Sequence, residues 1–411
     1  MLMKLLHTSD WHLGRALDGR KRYEEPEAFL NWLAELIESH EIDVLLVAGD
    51  VFDSSTPSNR AQSLYYRFLC RMAASPRRHV VVTAGNHDSP TFLDAPRELL
   101  KCLNIHVVGC ATEAVADEVL VLNGADGEPG LIVCAIPYLR DRDIRTAEAG
   151  ESAEDKERKI VEGIRTHYRR VYDAALVKKA SLKSPVPIVA MGHLYTEGGR
   201  TVDGDGVREL YIGSLLHVGR DVFPEGIGYL ALGHLHIPQC VGKSELIRYS
   251  GSPLPIGFGE AAQQKTVVQV AFSEGVLAVS EISVPRFQEL RTLRGDWPTL
   301  AREIEALKGQ GSRAWLEIIY EGDEAASDLQ RRLDEVVAGT AIEILRVRNN
   351  RVMERALSGK TMEETLDDLD VTDVFERCLD DHKVSPERRP DLLSAYREIV
   401  VSLAEQDARA E

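Results

Sequence analysis

Six short apolar runs punctuate the first part of this chain, and five of them end in a polar motif within a few residues. The runs cover residues 4–7, 44–48, 79–84, 131–136, 188–191 and 229–232. The motifs are Asp10-Trp11-His12, Gly49-Asp50-Val51-Phe52-Asp53, Gly85-Asn86-His87-Asp88, Gly192-His193 and Gly233-His234-Leu235-His236. Helix-like stretches separate several runs, as at residues 27–39 and 59–73. Short buried strands alternating with helices predict a layered α/β domain rather than an all-α or all-β one. In such sheets, groups just beyond the carboxyl ends of the strands meet in one place.

The five motifs carry carboxylates, imidazoles and an amide. Asp10, His12, Asp50, Asn86, His193, His234 and His236 are therefore candidate ligands for two divalent metal ions. This donor set suits Mn, Fe or Zn. The lack of cysteine ligands disfavours a structural zinc, and the many histidines disfavour calcium. Asp10 and His12 stand two apart, so an extended segment would point both the same way, and His234 and His236 repeat that spacing. Two ions about 4 Å apart share a carboxylate and neutralise phosphate oxygens, which is phosphoester hydrolysis without a covalent intermediate. The remaining histidines, among them His7, His40, His79 and His106, read as packed or surface residues.

Composition sets outer limits. The 411 residues suffice for more than one domain, and 44% hydrophobic with 28% charged residues is ordinary for a globular protein. No apolar stretch has the length to cross a bilayer, and residues 2–6 are too short for a signal-peptide core. The six cysteines form no C-x-x-C pair and read as reduced thiols, so a cytoplasmic protein without membrane contact is expected. A net charge of -17 argues against a broad polyanion-binding surface, but not against phosphodiester chemistry at a metal centre.

Further along, residues 267–272 and 276–284, joined by Ser273-Glu274-Gly275, read as a hairpin, and the first domain is expected to span 1–284. Residues 285–348 follow a strand, helix, strand, helix, strand pattern. Its helices are carried by Leu300, Ile304 and Leu307, then by Leu329, Leu333 and Val336. Residues 349–411 show no strand signal. Val371, Val374, Phe375, Cys378 and Leu379 form one apolar stripe at helical spacing, and Leu392, Tyr396, Ile399, Val400 and Leu403 form another.

The motif order D-x-H, G-D-x-x-D, G-N-H-D, G-H, G-H-x-H resembles that of the calcineurin-like metallophosphoesterase superfamily. Residues 5–14 (LLHTSDWHLG), 47–53 (VAGDVFD), 84–89 (AGNHDS) and 251–255 (GSPLP) further resemble the SbcD family, nuclease subunits of bacterial SbcCD complexes. The resemblance extends over nearly the whole length. It implies a layered β-sandwich flanked by helices, a small α+β capping domain at 285–348 and a partner-binding helical tail at 349–411. It places one ion, most simply Mn2+, on Asp10, His12, Asp50 and His236, and the other on Asp50, Asn86, His193 and His234. His87 then serves as general acid or transition-state stabiliser. From the residues themselves, Asp88 either orients it or caps its turn, and Asp53 is a candidate to orient a metal ligand.

The implied activity is double-strand exonuclease and single-strand or hairpin endonuclease cleavage of DNA, in recombination, replication and repair. The implied partners are an SbcC-like SMC-type ATPase, docked on the tail, and a second copy of the chain, giving a homodimer within a heterotetramer. The stripe of Leu64, Tyr65, Phe68, Leu69 and Met72 is either core or part of that dimer surface. Arg15, Arg20, Lys21 and Arg22 either touch the phosphate backbone or lie on a solvated loop. Ser54-Ser55 after Asp53, and Asp88 after His87, depart from the protein-phosphatase pattern. Two rivals stay open: a phosphodiesterase of small diesters, and a non-catalytic scaffold for the ATPase. With no G-x-x-x-x-G-K-[ST] sequence, any ATP dependence belongs to the partner.

Overall fold

The computed structural model describes residues 3–146, 151–201, 218–242, 244–273, 276–322 and 326–349, and seven residues between 375 and 396. The chain divides into two compact units, Met1–Phe287 and Gln288–Glu411. In the first, the main elements are β1 (Met3–Thr8), α1 (Glu24–Ser39), β2 (Val44–Ala48), α2 (Asn59–Ala73), β3 (His79–Thr83), β4 (Ile105–Val108), β5 (Val119–Asn123), β6 (Pro129–Ala135), α3 (Ala153–Ala180), β7 (Ile188–His193), β8 (Tyr229–Gly233), β9 (Gln239–Val241), β10 (Ser244–Tyr249), β11 (Thr266–Ser273) and β12 (Val276–Ser283). They form two six-stranded sheets, in the orders β12-β11-β1-β2-β3-β4 and β9-β10-β8-β7-β6-β5.

The apolar runs are continuous rather than alternating because these strands are covered on both faces. In β2, Leu45 and Val47 pack into the cluster beneath α1 and α2, whereas Val44, Leu46 and Ala48 face the opposite sheet. In β7, Ile188 and Ala190 face α3, and Val189 and Met191 face the first sheet. The order of layers is therefore helices, sheet, sheet, helix. Strands β1, β2, β3 and β4 run parallel in one sheet, and β6, β7, β8 and β10 in the other. Parallel pairing gathers the carboxyl ends of β1, β2 and β3, and likewise those of β7 and β8.

Helix α2 decides between the two readings of its apolar stripe. Ser58 caps it, its side chain accepting from the Ala61 N–H. Leu64, Tyr65, Phe68, Leu69 and Met72 are all buried in the chain's own core, against α1 and the first sheet. That stripe is spent inside the molecule and offers no surface to a second copy.

The second unit contains β13 (Leu290–Gly295), α4 (Trp297–Gly309), β14 (Trp315–Tyr320), α5 (Ala326–Val337) and β15 (Glu343–Asn349). Its three strands are parallel, in the order β13-β14-β15. Leu293, Leu316 and Ile318 of the sheet pack against Leu300, Ile304 and Leu307 of α4 and Leu329 and Leu333 of α5. Most of the two tail stripes lies outside the described residues. Of those described, Phe375 and Tyr396 are helical and their rings stack, centroids 4.0 Å apart. Among the described residues, no helix is long and apolar enough to cross a membrane.

Candidate metal centre

The five motifs meet at the carboxyl edge of both sheets. Asp10 and His12 follow β1, Asp50 follows β2, Asn86 and His87 follow β3, His193 ends β7, and His234 and His236 follow β8. All but the half-buried Asn86 are nearly inaccessible. Glycines permit this crowding. A Cβ at Gly233 would lie 1.8 Å from the Ala48 carbonyl oxygen, and one at Gly85 would lie 2.1 Å from Asp50 Oδ1.

The expected extended Asp10-Trp11-His12 segment is not what forms. Asp10 and His12 have φ of 54° and 44°, Asp50 has 49° and His234 has 102°. Left-handed backbone at non-glycine residues is uncommon and concentrates at functional sites. It is held here by bonds from the Asp10 N–H to the Gly49 carbonyl and from the His12 N–H to the Asp50 carbonyl. The strand end therefore coils, and each side chain is aimed by its own dihedrals rather than by strand alternation.

Three sets of donor atoms lie within 4.8 Å of one another: Asp10 with His12 and His236, Asp10 with Asp50 and His193, and His12 with Asp53 and His87. Asp10 is common to the first two sets, and Asp50 Oδ2 stands 3.3 Å from His193 Nε2 of its own set and 3.7 Å from His12 Nε2 of the other. Asn86 Oδ1 lies 3.0 Å from His193 Nε2 and 3.2 Å from His234 Nδ1. Every ligand expected from the sequence thus falls in one cluster.

The donor chemistry fits divalent cations. His12 Nε2 and His236 Nε2 face each other at 3.3 Å in a dry setting. On its other side, each ring has a carboxylate oxygen near Nδ1: Asp53 Oδ1 at 3.3 Å for His12, and Glu260 Oε1 at 3.4 Å for His236. With Nδ1 protonated, both Nε2 lone pairs point into the same small space, an arrangement that a cation relieves. His234 Nε2 is buried without a hydrogen-bond partner. Burial raises the Asp10 carboxyl above its ordinary range. For Asp50 burial acts the same way, but the imidazoles of His193, His12 and His87 outweigh it and hold the carboxyl well below its ordinary value. Burial pushes His234 far down, favouring the neutral ring that a metal requires.

His87 and Asp88 are held mainly by the backbone of neighbouring loops. The His87 N–H donates to Asp50 Oδ1 at 2.9 Å, and its ring Nδ1 lies 2.8 Å from the Asp53 carbonyl oxygen. The ring meets His12 edge-on, centroids 4.8 Å apart. The Asp88 carboxylate accepts backbone N–H bonds from Gly85, Val51 and Phe52. It ties the loop after β3 to the loop after β2. Of the two roles open for Asp88, this is turn capping; the Asp53 carbonyl orients the His87 ring instead. Burial, and then Asp50, push the Asp88 carboxyl up to about 6.

The basic residues separate. Arg22 is buried, its guanidinium paired with Glu25 and donating to the Pro255 carbonyl, so it is a packing element and not a phosphate contact. Arg15 pairs with Asp53 at 2.9 Å beside the cluster. Arg20 and Lys21 are exposed on a two-stranded ribbon. Sequence reasoning also missed supporting polar residues. Ser9 donates to Asp10 Oδ2 and touches Ser250 Oγ at 2.8 Å, and Glu260 and Lys265 lie buried behind His236.

Comparison with known proteins agrees with this architecture. The calcineurin-like phosphoesterase profile matches residues 3–238, and the profile described as type 5 capsule protein repressor C-terminal domain matches residues 286–383. The chain is 38% identical over 380 residues to the SbcD subunit of nuclease SbcCD from Escherichia coli K12, covering 92% of each chain. The SbcD subunit from Rhodobacter capsulatus is 35% identical over 69% of this chain and 70% of its own. That from Bacillus subtilis is 34% identical over 66% and 67%. With the phosphoesterase fold, its strand-end cluster and these relatives together, the chain belongs to the SbcD family of the calcineurin-like phosphoesterases.

Proposed function

We propose that this chain is the metal-dependent nuclease subunit of an SbcCD-type complex, hydrolysing DNA phosphodiesters at a centre of two divalent ions, Mn2+ in the first instance. One observation carries the reading: side chains from five strand ends, drawn from both sheets, converge in one dry cluster whose donor atoms suit two cations. Asp10, His12, Asp50 and His236 would hold one ion, and Asp50, Asn86, His193 and His234 the other. When bound, the pair supplies charge neutralisation at the phosphate and lowers the pKa of water.

The remaining steps belong to the chain's own residues. Asp50 joins the two ligand sets and, through its Oδ1, fixes the backbone of His87. With Nδ1 donating to the Asp53 carbonyl, a protonated His87 ring would present Nε2–H as the proton for the departing sugar oxygen. Asp88 holds the two loops that carry Asp50 and His87 at fixed spacing. Arg15, Arg20 and Lys21 would meet the DNA backbone. Residues 285–348 would cap the entrance, and residues 349–411 would dock on the SMC-type ATPase. A homodimer within a heterotetramer remains part of the proposal, on a surface other than the buried stripe of α2.

The test is cleavage of end-labelled single- and double-stranded DNA by the full chain with Mn2+, alongside His87→Ala. The expected result is Mn2+-dependent cleavage that falls at least about 100-fold in the variant, with metal content by mass spectrometry unchanged. A variant that has lost its ions, or that cleaves like the parent, removes His87 from the chemistry. Hydrolysis of a small diester without any DNA cleavage, with or without the ATPase, would give the rival phosphodiesterase.

A further inference from the structure

We infer that Glu260, anchored by Lys265, is the positioning residue that sets His236 for its ion, an assignment that rests on the two-ion reading above. Glu260 is a carboxylate with no exposed surface, on a short turn between the GSPLP segment and β11. Its two oxygens do different work. Oε2 takes Lys265 Nζ at 2.5 Å, the Ile256 N–H at 3.0 Å and Ser252 Oγ at 3.3 Å. Oε1 is buried, receives none of these bonds, and lies 3.4 Å from His236 Nδ1.

A buried carboxylate oxygen left without a donor is costly, and the proton that meets this need is one on His236 Nδ1. That proton decides the tautomer: the lone pair is then on Nε2, the atom facing His12 Nε2. Glu260 therefore does for His236 what Asp53 does for His12. Carboxylate partners of this kind fix ring orientation and raise ligand basicity.

Lys265 completes the device. It is 4% exposed, and its ammonium supplies the counter-charge that lets Glu260 stay ionised in a dry place. The same ammonium donates to the backbone carbonyl of His236 at 3.0 Å and to Ser252 Oγ at 3.1 Å. One group thus fixes both the backbone of the ligand and the carboxylate that orients its ring. Lys265 immediately precedes β11 of the first sheet, whereas His236 follows β8 of the second. The network therefore spans the sandwich at the depth of the metal cluster. Neither Glu260 nor Lys265 touches the reacting atoms, so both are positioning residues.

The experiment is calorimetric titration of metal-free full-length chain with Mn2+, for wild type, Glu260→Gln and Glu260→Asp, with Mn2+ dependence of DNA cleavage measured in parallel. Wild type should bind two ions. Glu260→Gln should bind one as wild type does and the other at least about tenfold more weakly. Its half-maximal Mn2+ concentration should rise by a similar factor, with activity returning at high Mn2+, and Glu260→Asp should lie between the two. A merely structural role would lower activity at every Mn2+ concentration alike; that pattern, or unchanged affinity in Glu260→Gln, overturns the assignment. Wild type that binds no ion would instead overturn the two-ion reading itself, and this inference with it. If the variants do not fold, 15N-histidine NMR of Zn2+-loaded wild type decides: a proton on His236 Nδ1 is expected, and a proton on Nε2 overturns the assignment.

Discussion

Gly85 stands where no side chain fits. A Cβ there would lie 2.1 Å from Asp50 Oδ1 and 2.3 Å from Asp50 N, so either the joining ligand or its backbone must move. Gly85→Ala should therefore lose metal, measured by mass spectrometry, and destabilise the chain by about 1–3 kcal/mol through overpacking, measured by urea unfolding. Retention of both ions would mean that the loop after β3 can give way. The sequence made this region legible because ligand types, glycines and spacing coincided at Gly49-Asp50 and Gly85-Asn86-His87. It did not reveal Glu260, which sits in a polar turn far along the chain from His236 and meets it only through folding. Arg22 misled for a related reason. A run of cations after a ligand motif looks like a phosphate-binding loop, yet Glu25 three residues on was the available sign of a buried pair. The sharp backbone turn at Asp10 and His12 was also hidden, since positive φ at aspartate and histidine leaves no compositional trace.

At the scale of elements, strands buried on both faces announced themselves as unbroken apolar runs. β2 has the bounds read from the sequence, 44–48, because no polar residue interrupts it. Short edge strands such as β4 and β5 did not stand out; each has only one neighbour in its sheet and is only partly buried. The long helix α3 was not singled out either. Its inward residues Ile160, Ile164, Tyr168, Val171 and Ala175 recur at helical spacing, but charged residues crowd the stretch between them. Helix α2 was legible and offers a clean test of local stabilisation. Ser58 caps it, and its hydroxyl also lies 3.0 Å from the Tyr23 hydroxyl at the start of α1. Ser58→Ala should cost about 1 kcal/mol in chemical denaturation while leaving DNA cleavage unchanged. A loss of activity would mean that α2 communicates with the metal cluster.

The first unit sets candidate ligands from one sheet against candidate ligands from the other: Asp10, His12, Asp50 and Asn86 on the first, His193, His234 and His236 on the second. Ions bound between them would act as rivets through the edge of the sandwich. An ion that binds the folded chain and not the unfolded one adds about 2.7 kcal/mol at a free concentration 100 times its dissociation constant. The melting temperature should therefore fall when Mn2+ is chelated and recover as it is restored; an unchanged midpoint would mean that the two sheets hold their edge together without the ions. The consequence reaches beyond catalysis. On the two-ion reading, free metal would become a variable of the protein's lifetime, because a chain without its rivets would open more often and be cut sooner by proteases. Scarcity of the metal would then thin out the population of the nuclease as well as idle it.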